Sequence, residues 1–128
     1  MMLDRNTDRD ELKAGVGAYG RLSPETVRSY VGLSSAGAKK DVLGAKMREL
    51  IALEVAVAQR CDGCITIHTE QALKHGASEE EIAEALGVAV ALGVAEALGV
   101  AVALGAGASL VYSTRVMDAV AAYHTIEA

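Results

Sequence analysis

The sequence predicts a single all-α domain, and three observations carry that reading. No stretch of the 128 residues sustains the period-two alternation of a half-buried strand between turn signals. Two helix-start signatures are present, Ser23-Pro24-Glu25 and Ser78 with Glu81 three residues on. A length of 128 residues is that of one domain.

The first helix is expected over about Thr7 to Gly20. The second runs from Pro24 to Lys39, with Ser23 as its N-cap and Glu25 as an acid in its first turn. The third covers Ala45 to Arg60. Between Leu50 and Ala58 it is apolar on nearly every face except Glu54, which predicts a central helix. Asp62 is expected to cap a fourth helix that reaches His75, with Gly76 as its stop. Ser78 and Glu81 form a capping box for a fifth, and the chain stays helix-compatible to about Tyr123.

That last stretch holds a repeat. Residues 84–95 and 96–107 are identical at ten of twelve positions, and Ala-Leu-Gly-Val-Ala recurs from Ala85, Ala91 and Ala97. A six-residue step turns a helix by about 240°. Leu86, Leu92, Leu98 and Leu104 therefore visit three faces, and a helix with no solvent side is expected. The period fits no solenoid unit, so a local duplication or a deliberate extension is the expected origin.

Composition narrows the function classes. The formal net charge is −5 and the basic residues are scattered, which argues against a nucleic-acid partner. The chain is 52% hydrophobic, but its four aromatic residues are all Tyr, so the core must be Ala, Val, Leu and Ile. Such small side chains leave surplus apolar surface, and a homo-oligomer is expected. The uncharged run from Ala97 to Thr114 is just long enough to span a bilayer, but its glycines, serines and threonine favour a buried interface helix instead. The first residues carry no apolar signal segment, so a cytoplasmic location is expected. In a reducing compartment a Cys-x-x-Cys is more often catalytic or metal-binding than a structural staple.

The chemistry centres on Cys61-Asp62-Gly63-Cys64, which contains both cysteines of the chain. A thiol in the first turn of a helix meets the partial positive charge of unpaired N–H groups, which favours the thiolate. His68 follows Cys64 at i+4, on the same face and within reach to exchange a proton. Cys61 is close enough to close a disulfide, and Gly63 is read as keeping the bend between them open. This set suits thiolate attack, a sulfenic acid and then a disulfide. Zinc is the competing reading, with Cys61, Cys64, His68 and His75 as ligands. His75 lies seven residues from His68, about 10 Å along a helix, too far for one tetrahedral ion, so no metal is expected. His75 is read as meeting the carbonyls at its helix end, and His124 as a surface residue. Glu49 and Glu54 sit about 140° apart on the third helix, and geometry alone leaves either one open as a proton-relay partner.

Glu49, eleven intervening residues, Cys61-x-x-Cys64, and three more to His68 make a combined motif. With its flanks over residues 45–93, and with residues 12–30 and 109–120, it resembles the alkylhydroperoxidase D/carboxymuconolactone decarboxylase family. The resemblance implies an all-helical fold of about six helices and a symmetric oligomer, a trimer or a hexamer. It implies thiol-dependent peroxidase chemistry on a small hydroperoxide, without a cofactor. In it Cys64 is the peroxidatic thiol, Cys61 the resolving thiol, and His68 with Glu49 the proton relay. A thiol or dihydrolipoamide-type reductant would return the disulfide to the dithiol.

Two departures from the family pattern stand out. Gly63 occupies a position where some members carry histidine. Twelve extra residues come after the fifth-helix segment, and as helix they would shift the downstream chain by about 18 Å and rotate it by about 120°. A lengthened or rearranged helix around residues 84–107 is therefore expected, with the last helix displaced from its usual docking or a break near Gly93 absorbing the insert. Two other readings remain: a non-catalytic oligomeric or redox-sensing protein, and a decarboxylase-like lyase of the same fold.

Overall fold

The computed structural model describes the backbone of residues 4–93 and 100–127, and the side chains of these residues outside 93–106. Six α-helices succeed one another: α1 (Arg5–Leu22), α2 (Pro24–Ala36), α3 (Ala45–Ala58), α4 (Asp62–Lys74), α5 (Glu79–Gly93) and α6 (Val100–Glu127), with a 3-10 turn at Gly37–Lys39. No strand occurs among the described residues.

Local chemistry accounts for most helix ends. The Asp4 carboxylate accepts from the backbone N–H of Asn6 and Thr7, so α1 starts two residues earlier than the pattern suggested. Pro24 opens α2 at its first position, but Ser23 makes no capping bond to the backbone, and its hydroxyl pairs with that of Thr26 at 2.8 Å. The capping box of α5 is complete. The Ser78 N–H donates to Glu81 at 2.9 Å and the Glu81 N–H donates to the Ser78 hydroxyl at 3.1 Å.

Helices α3 and α4 end in the same way. After α4, the Gly76 N–H donates to the Leu73 carbonyl and the Ala77 N–H to the Ala72 carbonyl, with Gly76 at φ 84. After α3, the Arg60 N–H donates to Val57 and the Cys61 N–H to Ala56, with Arg60 at φ 56. Both are Schellman turns, whose left-handed position favours glycine. The turn after α3 aims the chain directly into the two cysteines.

The core lies among α3, α4, α5 and α6. Leu53, Val57, Ile65, Ile82, Val116 and Val120 are at most 1% exposed. Burying each contributes roughly 1.5–3 kcal/mol. α3 is central in its packing, as expected, but it keeps an outward stripe. Met47, Ile51 and Val55, at i, i+4 and i+8, are 43–53% exposed. The expectation that the repeat helix has no solvent side also fails where it is described. Leu86 is buried in the core, whereas Val88 and Leu92 are exposed. Leu98 and Leu104 lie outside the described side chains, as does most of the expected rearrangement over residues 84–107. What is described is that α6 packs beside α5, sharing one core with Ile82, Leu86 and Ala89, and also packs on α4. α1 covers the other side of α4, and α2 packs mainly on α1 and the short turn after it, burying no residue of its own.

Candidate functional site

The site is built on the first turn of α4. Cys61 is the N-cap, and its sulfur accepts from the Cys64 N–H at 3.2 Å. The capping role therefore falls to Cys61, not to Asp62, which occupies the first helical position and points its carboxylate elsewhere. Cys61 and Cys64 are joined in a disulfide, with Cα atoms 5.2 Å apart. Gly63 sits in α4 outside the left-handed region, so the backbone does not require glycine there. Space there is tight rather than closed: a Cβ at Gly63 would lie 3.3 Å from the Leu12 side chain of α1, which would have to shift by a few tenths of an ångström.

The disulfide opens onto a cavity of about 500 Å³ between α4 and the α1–α2 hairpin. Leu12 and Val16 of α1, Tyr30 of α2 and Ile67 of α4 give it apolar walls, and His68 lies on its lining with both cysteines. His68 Nδ1 is 2.7 Å from Glu49 Oε2, and both side chains are partly buried. Glu54 points to a different place. It lines a groove between α3 and α5 with Glu81 and Glu84. The structure thus brings Glu49, Cys61, Cys64 and His68 to one place and keeps Glu54 out of it. His75 is exposed at the far end of α4, and His124 is half-exposed, 3.3 Å from Glu79.

A His–carboxylate pair fixes the ring and supports one proton position, so a proton can be passed between the cavity and Glu49. A disulfide between neighbouring thiols is the oxidised end of a dithiol couple. The arrangement can therefore exchange two electrons and handle the accompanying protons.

Sequence reading missed the charged residues that brace this turn. Asp62 Oδ1 accepts from Arg5 Nη2 at 3.1 Å and from Arg115 Nη1 at 2.7 Å. Arg5 is 2% exposed and also donates to the Thr66 hydroxyl. Arg115 stacks over the Tyr112 ring at 4.4 Å. Partial burial pushes the Asp62 carboxyl up, but the hydrogen bonds and charges of Arg115 and Arg5 outweigh it and hold the group below its ordinary pKa. One turn beyond Thr66, nearly buried Glu70 takes Lys74 at 2.9 Å, Lys13 at 3.3 Å and Arg9 at 3.8 Å. Burial again opposes ionisation, and the lysines again prevail. One signal for Arg115 was available, because it is the only Lys or Arg after Lys74. Its partner was not, because the two lie 53 positions apart.

An all-helical domain with a Cys-x-x-Cys at a helix start, backed by a His–Glu pair, defines the class of protein. A model of the carboxymuconolactone decarboxylase family matches residues 24–106, and the chain belongs to that family. An uncharacterised protein of Cupriavidus necator is 36% identical over 90 residues, covering 70% of this chain and 80% of its own. One of Haemophilus influenzae is 42% identical over 72 residues, covering 56% of this chain and 64% of its own. The crystal structure of a carboxymuconolactone decarboxylase family protein from Legionella pneumophila superposes with a TM-score of 0.78 at 28% identity, over 93% of this chain and 96% of that one. Membership supports chemistry of a peroxidase-like or decarboxylase-like kind. Among the described residues no helix is long and apolar enough to cross a membrane.

Proposed function

We propose that the chain is a thiol-dependent peroxidase that reduces hydroperoxides with the Cys61–Cys64 dithiol. The observation that carries this reading is the disulfide at a helix start, facing the same cavity as His68, which is paired with Glu49 behind it. The Cys64 thiolate attacks the distal peroxide oxygen, the O–O bond breaks, and the leaving alkoxide takes a proton supplied through His68. Cys64 is left as a sulfenic acid. The Cys61 thiol attacks that sulfur, water leaves, and the disulfide forms. An external dithiol, of simple or dihydrolipoamide type, reduces it by exchange. The apolar walls of Leu12, Val16 and Ile67 suit an organic hydroperoxide with an apolar body. A reducing compartment such as the cytoplasm would sustain the cycle.

The stripe of Met47, Ile51 and Val55 on α3, with Val88 and Leu92 on α5, favours a homo-oligomer joined through this face. The test of activity is peroxide consumption with dithiothreitol or dihydrolipoamide as reductant. Cys64→Ser is expected to abolish turnover, and Cys61→Ser to accumulate a sulfenic acid or mixed disulfide. Turnover by Cys64→Ser at the parent rate would overturn the proposal.

A further inference from the structure

One charged cluster touches the dithiol turn without belonging to the proton relay. The chain places a carboxylate, Asp62, between its two cysteines. Consecutive Cα atoms are about 3.8 Å apart, so this carboxylate stands within roughly 10 Å of either sulfur. A negative charge there opposes formation of a thiolate. The fold answers with Arg115 from α6 and Arg5 from α1, both bonded to Asp62. Arg115 contacts both carboxylate oxygens through one terminal nitrogen, and its Nε, buried, has no partner. The Arg5 Nε is likewise buried without a partner. These guanidiniums are thus held in place for Asp62 at the cost of donors left unused, which a purely structural ion pair at a surface does not require.

We propose that Arg115, seconded by Arg5, is a positioning residue for the dithiol: by binding Asp62 it cancels the carboxylate charge between the cysteines and sets the acidity of the Cys64 thiol. The purpose of this device rests on the thiol chemistry proposed above, but its operation does not. Other charged or titratable groups surround the turn from each packed element. They are Asp8, Glu11 and Lys13 on α1, Tyr30 on α2, Glu49 on α3, His68 on α4, Tyr112 under Arg115 on α6, and Arg60 just before Cys61. None of these lies between the cysteines, and Asp8 offsets part of Arg5 at 3.6 Å. Arg115 is therefore the principal counter-charge to Asp62.

The test measures the rate of Cys64 alkylation by iodoacetamide against pH in reduced, full-length protein carrying Cys61→Ser, so that a single thiol titrates. Adding Arg115→Gln is expected to raise the midpoint, and adding Asp62→Asn to lower it. Each shift should be about half a unit, or about threefold in rate below the midpoint, as for one charge at about 8 Å partly in water. Arg115→Lys keeps the charge and should stay near the parent. A merely structural role would move the two neutralised variants together or not at all, and either result overturns the proposal. If Arg115→Gln does not fold by circular dichroism, Asp62→Asn is compared with Asp62→Asn carrying Arg115→Gln as well: a midpoint lowered in the first and restored towards the parent in the second supports the proposal, and equal midpoints refute it. Loss of peroxide consumption plays no part in this readout, so failure of the enzymatic reading would be seen separately.

Discussion

Arg60 and Gly76 occupy the same position in two equivalent turns. Each is the left-handed residue of a Schellman motif, at φ 56 and φ 84, and each is succeeded by a residue whose N–H closes back on the helix. Only Arg60 carries a Cβ there, at a cost of about 1–2 kcal/mol. Arg60→Gly should therefore stabilise the fold by about 0.5–1 kcal/mol, after the extra freedom of glycine in the unfolded chain is subtracted. Gly76→Ala should destabilise it by about 1 kcal/mol. Urea unfolding of the reduced proteins measures both, and a loss of stability in Arg60→Gly would contradict the reading of that turn.

The Glu49–His68 contact, at 2.7 Å, predicts a kinetic phenotype. Glu49→Gln should lower peroxide turnover by roughly a hundredfold, the lower range for a lost acid–base partner. Disulfide formation by a chemical oxidant should be unchanged. Glu54→Gln, on the groove away from the cavity, should keep turnover within about twofold of the parent. Equal losses in the two variants would remove Glu49 from the relay.

The exposed stripe on α3 gives a prediction about assembly. Ile51→Glu with Val55→Glu places two charges on that face without touching the core, where Leu50 and Leu53 point. Light scattering should show a smaller particle than the parent, with the helical content kept. A parent that is itself a monomer would end the proposal of self-association.

Acid should weaken the fold through Glu70. Its carboxyl is held below its ordinary pKa in the folded protein. The folded state therefore binds fewer protons than the unfolded one near that pKa, and stability falls as pH drops. The contribution is complete above about pH 4.3, the unfolded value, and vanishes as pH descends through the depressed folded value. Glu70→Gln should be less stable than the parent at pH 7 and should lose less on acidification. Denaturant midpoints between pH 7 and pH 3 test this, and parallel curves for the two proteins would refute it.

Much of this could be read from the sequence because it is local. Pro24, the Ser78–Glu81 box and Gly76 act within one turn of chain, and each marks a helix end where expected. The Glu49–Cys61–Cys64–His68 spacing spans two consecutive helices joined by a three-residue turn, so the packing of α3 on α4 is nearly implied by it. The outward face of α3 was illegible for a complementary reason. An apolar run shows that a helix avoids water, not which neighbour covers it, and Ile51 looks like Leu53 until the neighbours are placed. Arg5 and Arg9 looked like scattered surface charges, yet both are buried against α4. The partners they meet on α4 lie 57 and more positions away, beyond any local pattern.

The Asp62–Arg115 bond also has a meaning in time. A chain made from its N-terminus carries Cys61, Asp62 and Cys64 well before it carries Arg115, 53 positions after Asp62. During that interval only Arg5 of the first helix is available to answer the Asp62 charge. The thiols therefore reach their final electrostatic surroundings only when the last helix has been made and has closed onto the first turn of α4.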